Sequence, residues 1–204
     1  WLDLRGCSSL AALPDAIGKL KALTRLNLGL CSSLLALPES IGQLGALTAL
    51  DLVRCSKLAA LPDAIGELKA LTKLVLERCS SLTALPAAIG ELKALRKLEL
   101  AACSSLVALP EAIGCLDALK KLDLTACSNL VFPPGHTHGR VRRIKRLLAN
   151  TTRLLANEIS AADADDDAKA DFCEVVNHAQ FADRLEEAVR RDPALADLTN
   201  AEGQ

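Results

Sequence analysis

Hydrophobic and polar positions repeat along the first two thirds of the chain with a fixed period of 24 residues. The surrounding leucines, prolines and isoleucines keep their spacing through five full copies, and a sixth copy runs from Leu122 to Leu130. One cysteine recurs in every copy, at Cys7, Cys31, Cys55, Cys79, Cys103 and Cys127. A period of this length predicts supersecondary units that stack on one another.

Each copy predicts one short strand followed by one short helical turn. In the second copy, Leu26 and Leu28 alternate with outward residues, which is the period of a half-buried strand. Pro38 then suits the start of a helical turn, Glu39 suits its positive end, and Gly42 allows it to stop. A strand and a turn alternating along the whole repeat predict an α/β fold.

The stacked copies predict a solenoid, because a single copy cannot bury its own leucines. Half of the residues are hydrophobic but only 2% are aromatic, and Met and Tyr are absent, so the core is built from Leu, Ala, Val and Ile. We expect a parallel sheet on the concave side and helical turns on the other. At about 4.8 Å between strands, six rungs span roughly 25–30 Å.

The repeat resembles the leucine-rich-repeat family. The family's LxxLxLxxN/CxL pattern is present as Leu23, Leu26, Leu28, Cys31 and Leu34. The LPxxIGxLxxL half at residues 37–47 is similar to the intracellular type found in plant disease-resistance proteins and Ras-group scaffolds. The resemblance covers residues 1 to about 132. It implies a protein–protein interaction module in a cytosolic signalling or defence protein, with no catalytic residues and no cofactor.

The repeated cysteines are expected to be buried, reduced thiols that act as small apolar plugs. Parallel side chains on neighbouring rungs have poor disulfide geometry, and a cytoplasmic location fits free thiols. Cys115 occupies a slot that is polar in other copies, so it is expected to face solvent. A zinc site with His136, His138 or His178 lacks the usual ligand spacing, and we expect no metal.

The outward strand positions predict a candidate binding patch. Most of these positions pair basic with acidic columns, which favours mutual neutralisation. Three apolar substitutions cross this pattern on neighbouring rungs, beside two arginines and a glutamate. A partner with an acidic and an aliphatic contact would fit such a patch, whereas drift among near-identical copies would explain it without function. The partner-binding candidates are Leu30, Val53, Arg54, Val75, Glu77 and Arg78.

The C-terminal part predicts a small all-α region after the repeats, which occupy residues 1–134. Residues 135–160 form an amphipathic stretch that can cap the last rung, 161–170 an acidic linker, and 171–204 a helical, ankyrin-like start that is truncated. The amphipathic stretch could instead bind an anionic membrane or an acidic partner. The basic residues of that alternative are Arg140, Arg142, Arg143, Lys145 and Arg146.

The residue types therefore favour a monomeric protein-binding module, and no enzyme is expected from this chain. Its 24 basic and 25 acidic residues produce no net field to recruit nucleic acid or a membrane. Phosphate loops, nucleophile elbows and paired acid/base clusters are missing from the sequence. An alternative is that the repeats are the targeting arm of a larger multi-domain enzyme such as a kinase, since the chain reads as a piece of a longer polypeptide.

Overall fold

The computed structural model describes residues 1–130, which form six rungs of one parallel sheet. The C-terminal predictions for residues 135–204, including the basic residues and the histidines, lie outside the described residues. The strands are β1 (Leu2–Asp3), β2 (Arg25–Asn27), β3 (Ala49–Asp51), β4 (Lys73–Val75), β5 (Lys97–Glu99) and β6 (Lys121–Asp123). Five 3-10 helices connect them: η1 (Asp15–Lys19), η2 (Glu39–Gln43), η3 (Asp63–Glu67), η4 (Ala87–Glu91) and η5 (Glu111–Cys115). We number each rung by its strand.

The strands pair in sequence order, and each paired strand residue lies opposite the residue 24 positions later in the next strand. Leu26 of β2, for example, lies opposite Leu50 of β3, which lies opposite Leu74 of β4. This register places identical columns of side chains along the sheet. The predicted fold class, an open solenoid of parallel strands and short helical turns, is confirmed.

Proline and isoleucine set each 3-10 helix. Pro38 precedes η2 with φ −72° and ψ 154°, and its carbonyl accepts a hydrogen bond from the Ile41 amide at 3.0 Å. Ile41 points inward and is fully buried. The acidic residue that starts four of the five helices, Glu39 in η2, lies at the end where helix dipoles favour negative charge.

The repeated glycine has a different role from the predicted one. Gly42 does not end its helix, because η2 continues to Gln43 and Leu44 follows as the cap with φ −78° and ψ 63°. A Cβ atom on Gly42 would instead lie 2.6 Å from the Ala64 carbonyl oxygen of the next rung. Glycine is required at this slot because the 3-10 helices of adjacent rungs approach each other so closely.

One continuous apolar core fills the coil. It consists almost wholly of the repeated leucines and isoleucines with five of the cysteines, and most of these side chains are fully buried. On rung 1, Leu2, Leu4 and Leu10 pack against this core and are only partly buried.

Replacing a stacking glycine should destabilise the protein strongly. In Gly66→Ala the new Cβ would lie 2.6 Å from the Ala88 carbonyl oxygen, which is backbone and cannot move aside alone. We expect a loss of about 1–3 kcal/mol in the free energy of unfolding, measured by urea titration followed by circular dichroism. Gly45→Ala is the matched control, since its Cβ would meet nothing within 4 Å. Equal stability of the two variants would contradict this account.

Candidate functional site

The sixth residue of each rung, three residues after the end of its strand, adopts a left-handed backbone conformation. Its φ is 79° at Gly6, 64° at Leu30, 58° at Arg54 and 59° at Arg78. Each of these residues donates its amide to the carbonyl oxygen of the fifth residue of the next rung, as in Arg54 N–H to Glu77 O at 2.8 Å. Stacking therefore imposes the conformation on whatever residue occupies this slot. Glycine accepts it freely, whereas a side chain costs roughly 1–2 kcal/mol.

Rungs 2 to 4 hold large side chains in this strained slot. Rung 1 has Gly6, and rungs 5 and 6 have only Ala102 and Ala126, also at φ 56°. Leu30, Arg54 and Arg78 therefore lie in one column. Ala102 and Ala126 bear the same backbone cost, so rungs 2 to 4 are distinguished by the size of the side chain in this slot.

A shallow depression of about 360 Å³ lies beside this column on the sheet face. It brings together four of the six predicted site residues, Leu30, Val53, Arg54 and Glu77. Four residues that sequence reasoning missed complete the lining: Arg5, Asn27, Gly29 and Asp51. The repeat register could have indicated Gly29 and Asp51, which lie one rung before the predicted Val53 and Val75. Arg5 and Asn27 lie further from any predicted residue.

The two remaining predicted residues, Arg78 and Val75, do not line this depression. Arg78 is half exposed and forms an ion pair with Glu77, with Nε 3.5 Å from Oε1. Val75 lies in the outward column of the sheet but is only 4% exposed, so it offers a partner little apolar surface. It borders a neighbouring depression of about 380 Å³, between the strand neighbours Asp51 and Glu99. Crowding by the columns on either side leaves this short side chain little contact with solvent.

The acidic column on the sheet face supports the turn as well as balancing charge. Asp51 Oδ1 accepts the amide of Val53 at 3.0 Å, and Asn27 accepts that of Gly29 at 3.0 Å. Such side-chain acceptors stabilise turns two residues ahead. Mutual neutralisation, the role predicted from sequence, is seen at Glu99, whose Oε1 lies 2.7 Å from Lys97 Nζ and 3.5 Å from Lys121 Nζ.

The cysteines form a ladder of thiol hydrogen bonds through the core. Each Sγ donates to a leucine carbonyl of the preceding rung, for example Cys55 to Leu28 at 3.2 Å and Cys103 to Leu76 at 3.1 Å. The predicted burial is confirmed for five of the six repeated cysteines, whereas Cys7 on rung 1 is exposed. The thiols are therefore donors between rungs in addition to apolar plugs, and sequence pattern alone did not indicate this.

Burial raises the pKa of these thiols. The pKa of Cys55 and that of Cys103 rise to about 12, chiefly because the interior disfavours the thiolate. Cys115, predicted to face solvent, is partly exposed. All seven cysteines of residues 1–130 are free.

Residues 1–130 contain no cluster of three or more His, Cys, Asp or Glu side chains able to hold a metal ion. Over the same residues, no helix has the length and apolar character needed to cross a membrane.

A protein-family model described as a leucine-rich repeat region matches residues 1–106. The chain belongs to the leucine-rich-repeat family. Membership of this family implies a protein–protein interaction module. No curated protein matches the chain.

Several solved structures are similar to the chain. The leucine-rich repeat domain of the type III effector XopL is 30% identical, with a TM-score of 0.49, over 59% of this chain and 52% of that one. A leucine-rich-repeat protein of Leptospira interrogans is 32% identical, with a TM-score of 0.47, over 72% of this chain and 40% of that one. A plant ice-binding protein is 30% identical, with a TM-score of 0.37, over 45% of this chain and 30% of that one. The chain thus spans about half of the effector domain and two fifths of the Leptospira protein.

Glycine in the left-handed slot should stabilise a rung that does not use its side chain. Ala102→Gly removes the Cβ strain at φ 56° and should raise the free energy of unfolding by about 0.5–1 kcal/mol in urea titration. Ala60→Gly, at an exposed position without positive φ, should lower it by about the same amount. Destabilisation by both substitutions would show that the slot carries no strain.

Alkaline pH should lower the free energy of unfolding through the buried thiols. The pKa of Cys55 is about 12 in the folded protein and near 8.5 in an unfolded chain, so ionisation favours the unfolded chain. The stabilisation contributed by the protonated Cys55 is therefore complete below about pH 8.5 and is lost as pH rises towards 12. Cys55→Ala should cost about 1–3 kcal/mol at pH 7 and make the fall in stability between pH 8 and 10 less steep. Ser56→Ala is the control. A slope identical to that of the wild type would contradict the assignment.

Proposed function

We propose that the chain binds a partner protein through the sheet-face patch, defined as Leu30, Val53, Arg54, Glu77 and Arg78, with Val75 at its border. The observation that carries the proposal is the left-handed slot, which holds Gly6 on rung 1 and alanine on rungs 5 and 6 but a leucine and two arginines on rungs 2 to 4. Every residue with a Cβ atom bears the same backbone cost in this slot, so these three are distinguished by their size and by the depression that Leu30 and Arg54 border. A contact with a partner accounts for both.

The chemistry of the patch indicates the kind of contact. Leu30 and Val53 are partly exposed and supply an aliphatic surface, while Arg54 is exposed and has no ion pair among residues 1–130. Arg78 is held by Glu77, which also borders the depression. A partner that offers an acidic group to Arg54 next to an aliphatic side chain over Leu30 and Val53 would fit.

The wider setting that we propose is a cytoplasmic signalling or defence protein. The LPxxIGxLxxL half of the repeat, which resembles the intracellular type, supports it, as do the seven free thiols. Residues 135–160 act in this proposal as a cap, because rung 6 needs a cover for its apolar side and their amphipathic pattern offers one. The helical segment 171–204 would then begin a separate, ankyrin-like unit.

The test compares two double variants of equal charge change. The wild-type chain, immobilised at physiological salt, is used to isolate partners, which are identified by mass spectrometry; affinity for the purified partner is then measured by calorimetry. Arg54→Ala with Arg78→Ala should weaken binding by at least about tenfold, since each arginine of a contact centre contributes about 1 kcal/mol or more.

The control variant carries Lys69→Ala and Lys93→Ala. These lysines are exposed beside the 3-10 helices, where Lys69 contacts Glu91 at 3.4 Å and Lys93 contacts the Cys115 carbonyl at 3.1 Å. This control variant loses two positive charges, as the arginine variant does, but from the side of the solenoid that carries the 3-10 helices. It should bind the partner like the wild type. Unchanged affinity in the arginine variant, or an equal loss in the control, would refute the patch.

A further inference from the structure

Rungs 4 to 6 carry a second charged surface at the start of their strands. We call it the basic strip and define it as Lys73, Arg96, Lys97, Lys120 and Lys121. It lies at the edge of the sheet face opposite to the left-handed slot, so it is separate from the sheet-face patch. On rungs 1 to 3 the equivalent positions are mostly neutral, with Thr24, Thr48 and Thr72 where Arg96 and Lys120 follow.

The change from threonine to cation gives up a stabilising contact. Thr48 Oγ1 donates to the Thr24 carbonyl and Thr72 Oγ1 to the Thr48 carbonyl, each at 2.9 Å. Arg96 and Lys120 keep the backbone bond between rungs, at 2.8 Å each, but have no hydroxyl to extend this ladder. In exchange, like charges are stacked at about 4.8 Å intervals, which is unfavourable for folding.

The structure itself shows which ligand chemistry satisfies stacked cations. The Glu99 carboxylate lies between Lys97 and Lys121, one rung apart, and contacts both ammonium groups at 2.7 and 3.5 Å. On rung 4 the residue equivalent to Glu99 is Val75, which has no charge to offer Lys73. Lys73, Arg96 and Lys120 are exposed and have no ion pair among residues 1–130.

We propose that the basic strip docks an acidic, extended segment of a partner protein, whose carboxylates lie between stacked cations as Glu99 does. Nucleic acid is the less suitable ligand. Binding of single strands uses aromatic stacking besides charge, and Trp1 on rung 1 is the single aromatic side chain of residues 1–130. The proposal rests on the proposed function only in taking the ligand to be protein.

The test uses a variant that restores the repeat. Arg96→Thr with Lys120→Thr continues the threonine ladder, so the variant should fold and should unfold at a higher temperature than the wild type. The probe is a fluorescein-labelled hexaglutamate peptide, whose binding to the full chain is followed by fluorescence anisotropy at low salt. The double variant should bind it about threefold more weakly or worse, and binding should decline as salt is raised.

The controls separate this surface from overall charge and from the sheet-face patch. Lys69→Thr with Lys93→Thr removes the same two charges beside the 3-10 helices and should leave affinity within about twofold, in the range of a weak surface ion pair. The effect of the strip variant should also persist in a background of Arg54→Ala and Arg78→Ala. If the strip variant binds normally while the arginine pair abolishes binding of the partner, the strip fails and the proposed function stands.

Four results would overturn the proposal. One is a wild-type chain that does not bind the peptide, and a second is a loss of binding that is equal in the control. A third is a labelled oligothymidylate of equal charge that binds more tightly and depends on the same residues. The fourth is a carbodiimide cross-link within single chains between the strip lysines and the chain's own run Asp163, Asp165, Asp166 and Asp167, which would identify that run as the occupant.

Discussion

Each rung of this protein is held against its neighbour by contacts between residues 24 positions apart. Side chains on one rung lie over identical or similar side chains on the next, and the backbones are tied by hydrogen bonds at both the strand and the turn that follows it. The rung spacing is therefore fixed by the strands, and every other part must accommodate it. Gly66 has no side chain because its Cβ would meet the Ala88 carbonyl at that spacing, and the sixth residue of each rung takes a positive φ for the same reason.

The same constraint explains what the surface can present. Core columns are fixed to leucine, isoleucine and cysteine, so variation is confined to a few columns that face solvent. A substituted residue in one of these columns lies directly beside its equivalents on the adjacent rungs. Two or three substitutions in one column therefore form a contiguous surface patch. The sheet-face patch and the basic strip are both of this kind; the patch follows the ends of β2 to β4, and the strip lies at the starts of β4 to β6.

Much of the fold could be predicted from the sequence, because the same strand and turn pattern recurs in each copy and each copy supports the assignment made in the others. Leu26 and Leu28 define a strand in five further copies, and Pro38 marks the beginning of a helical turn in four more. What local pattern could not supply were the effects of neighbouring rungs. The sign of φ at Leu30, the crowding of Val75 and the role of Gly42 each depend on atoms 22 to 24 residues away, so a window of adjacent residues contains no signal for them. The candidate patch was thus located by its departure from the repeat, but its backbone strain and the contribution of Arg5 and Asn27 to the depression required the structure.

The thiol ladder has a direction. Each cysteine from Cys31 onwards in this slot donates towards the preceding rung, as Cys31 does to Leu4 and Cys127 to Leu100. Gain or loss of a whole 24-residue unit therefore adds or removes one matched donor and acceptor, whereas an insertion within the buried turn of a rung would separate a thiol from its carbonyl. Recombination between copies can therefore change the number of rungs by whole 24-residue repeats, without a compensating change elsewhere in the solenoid.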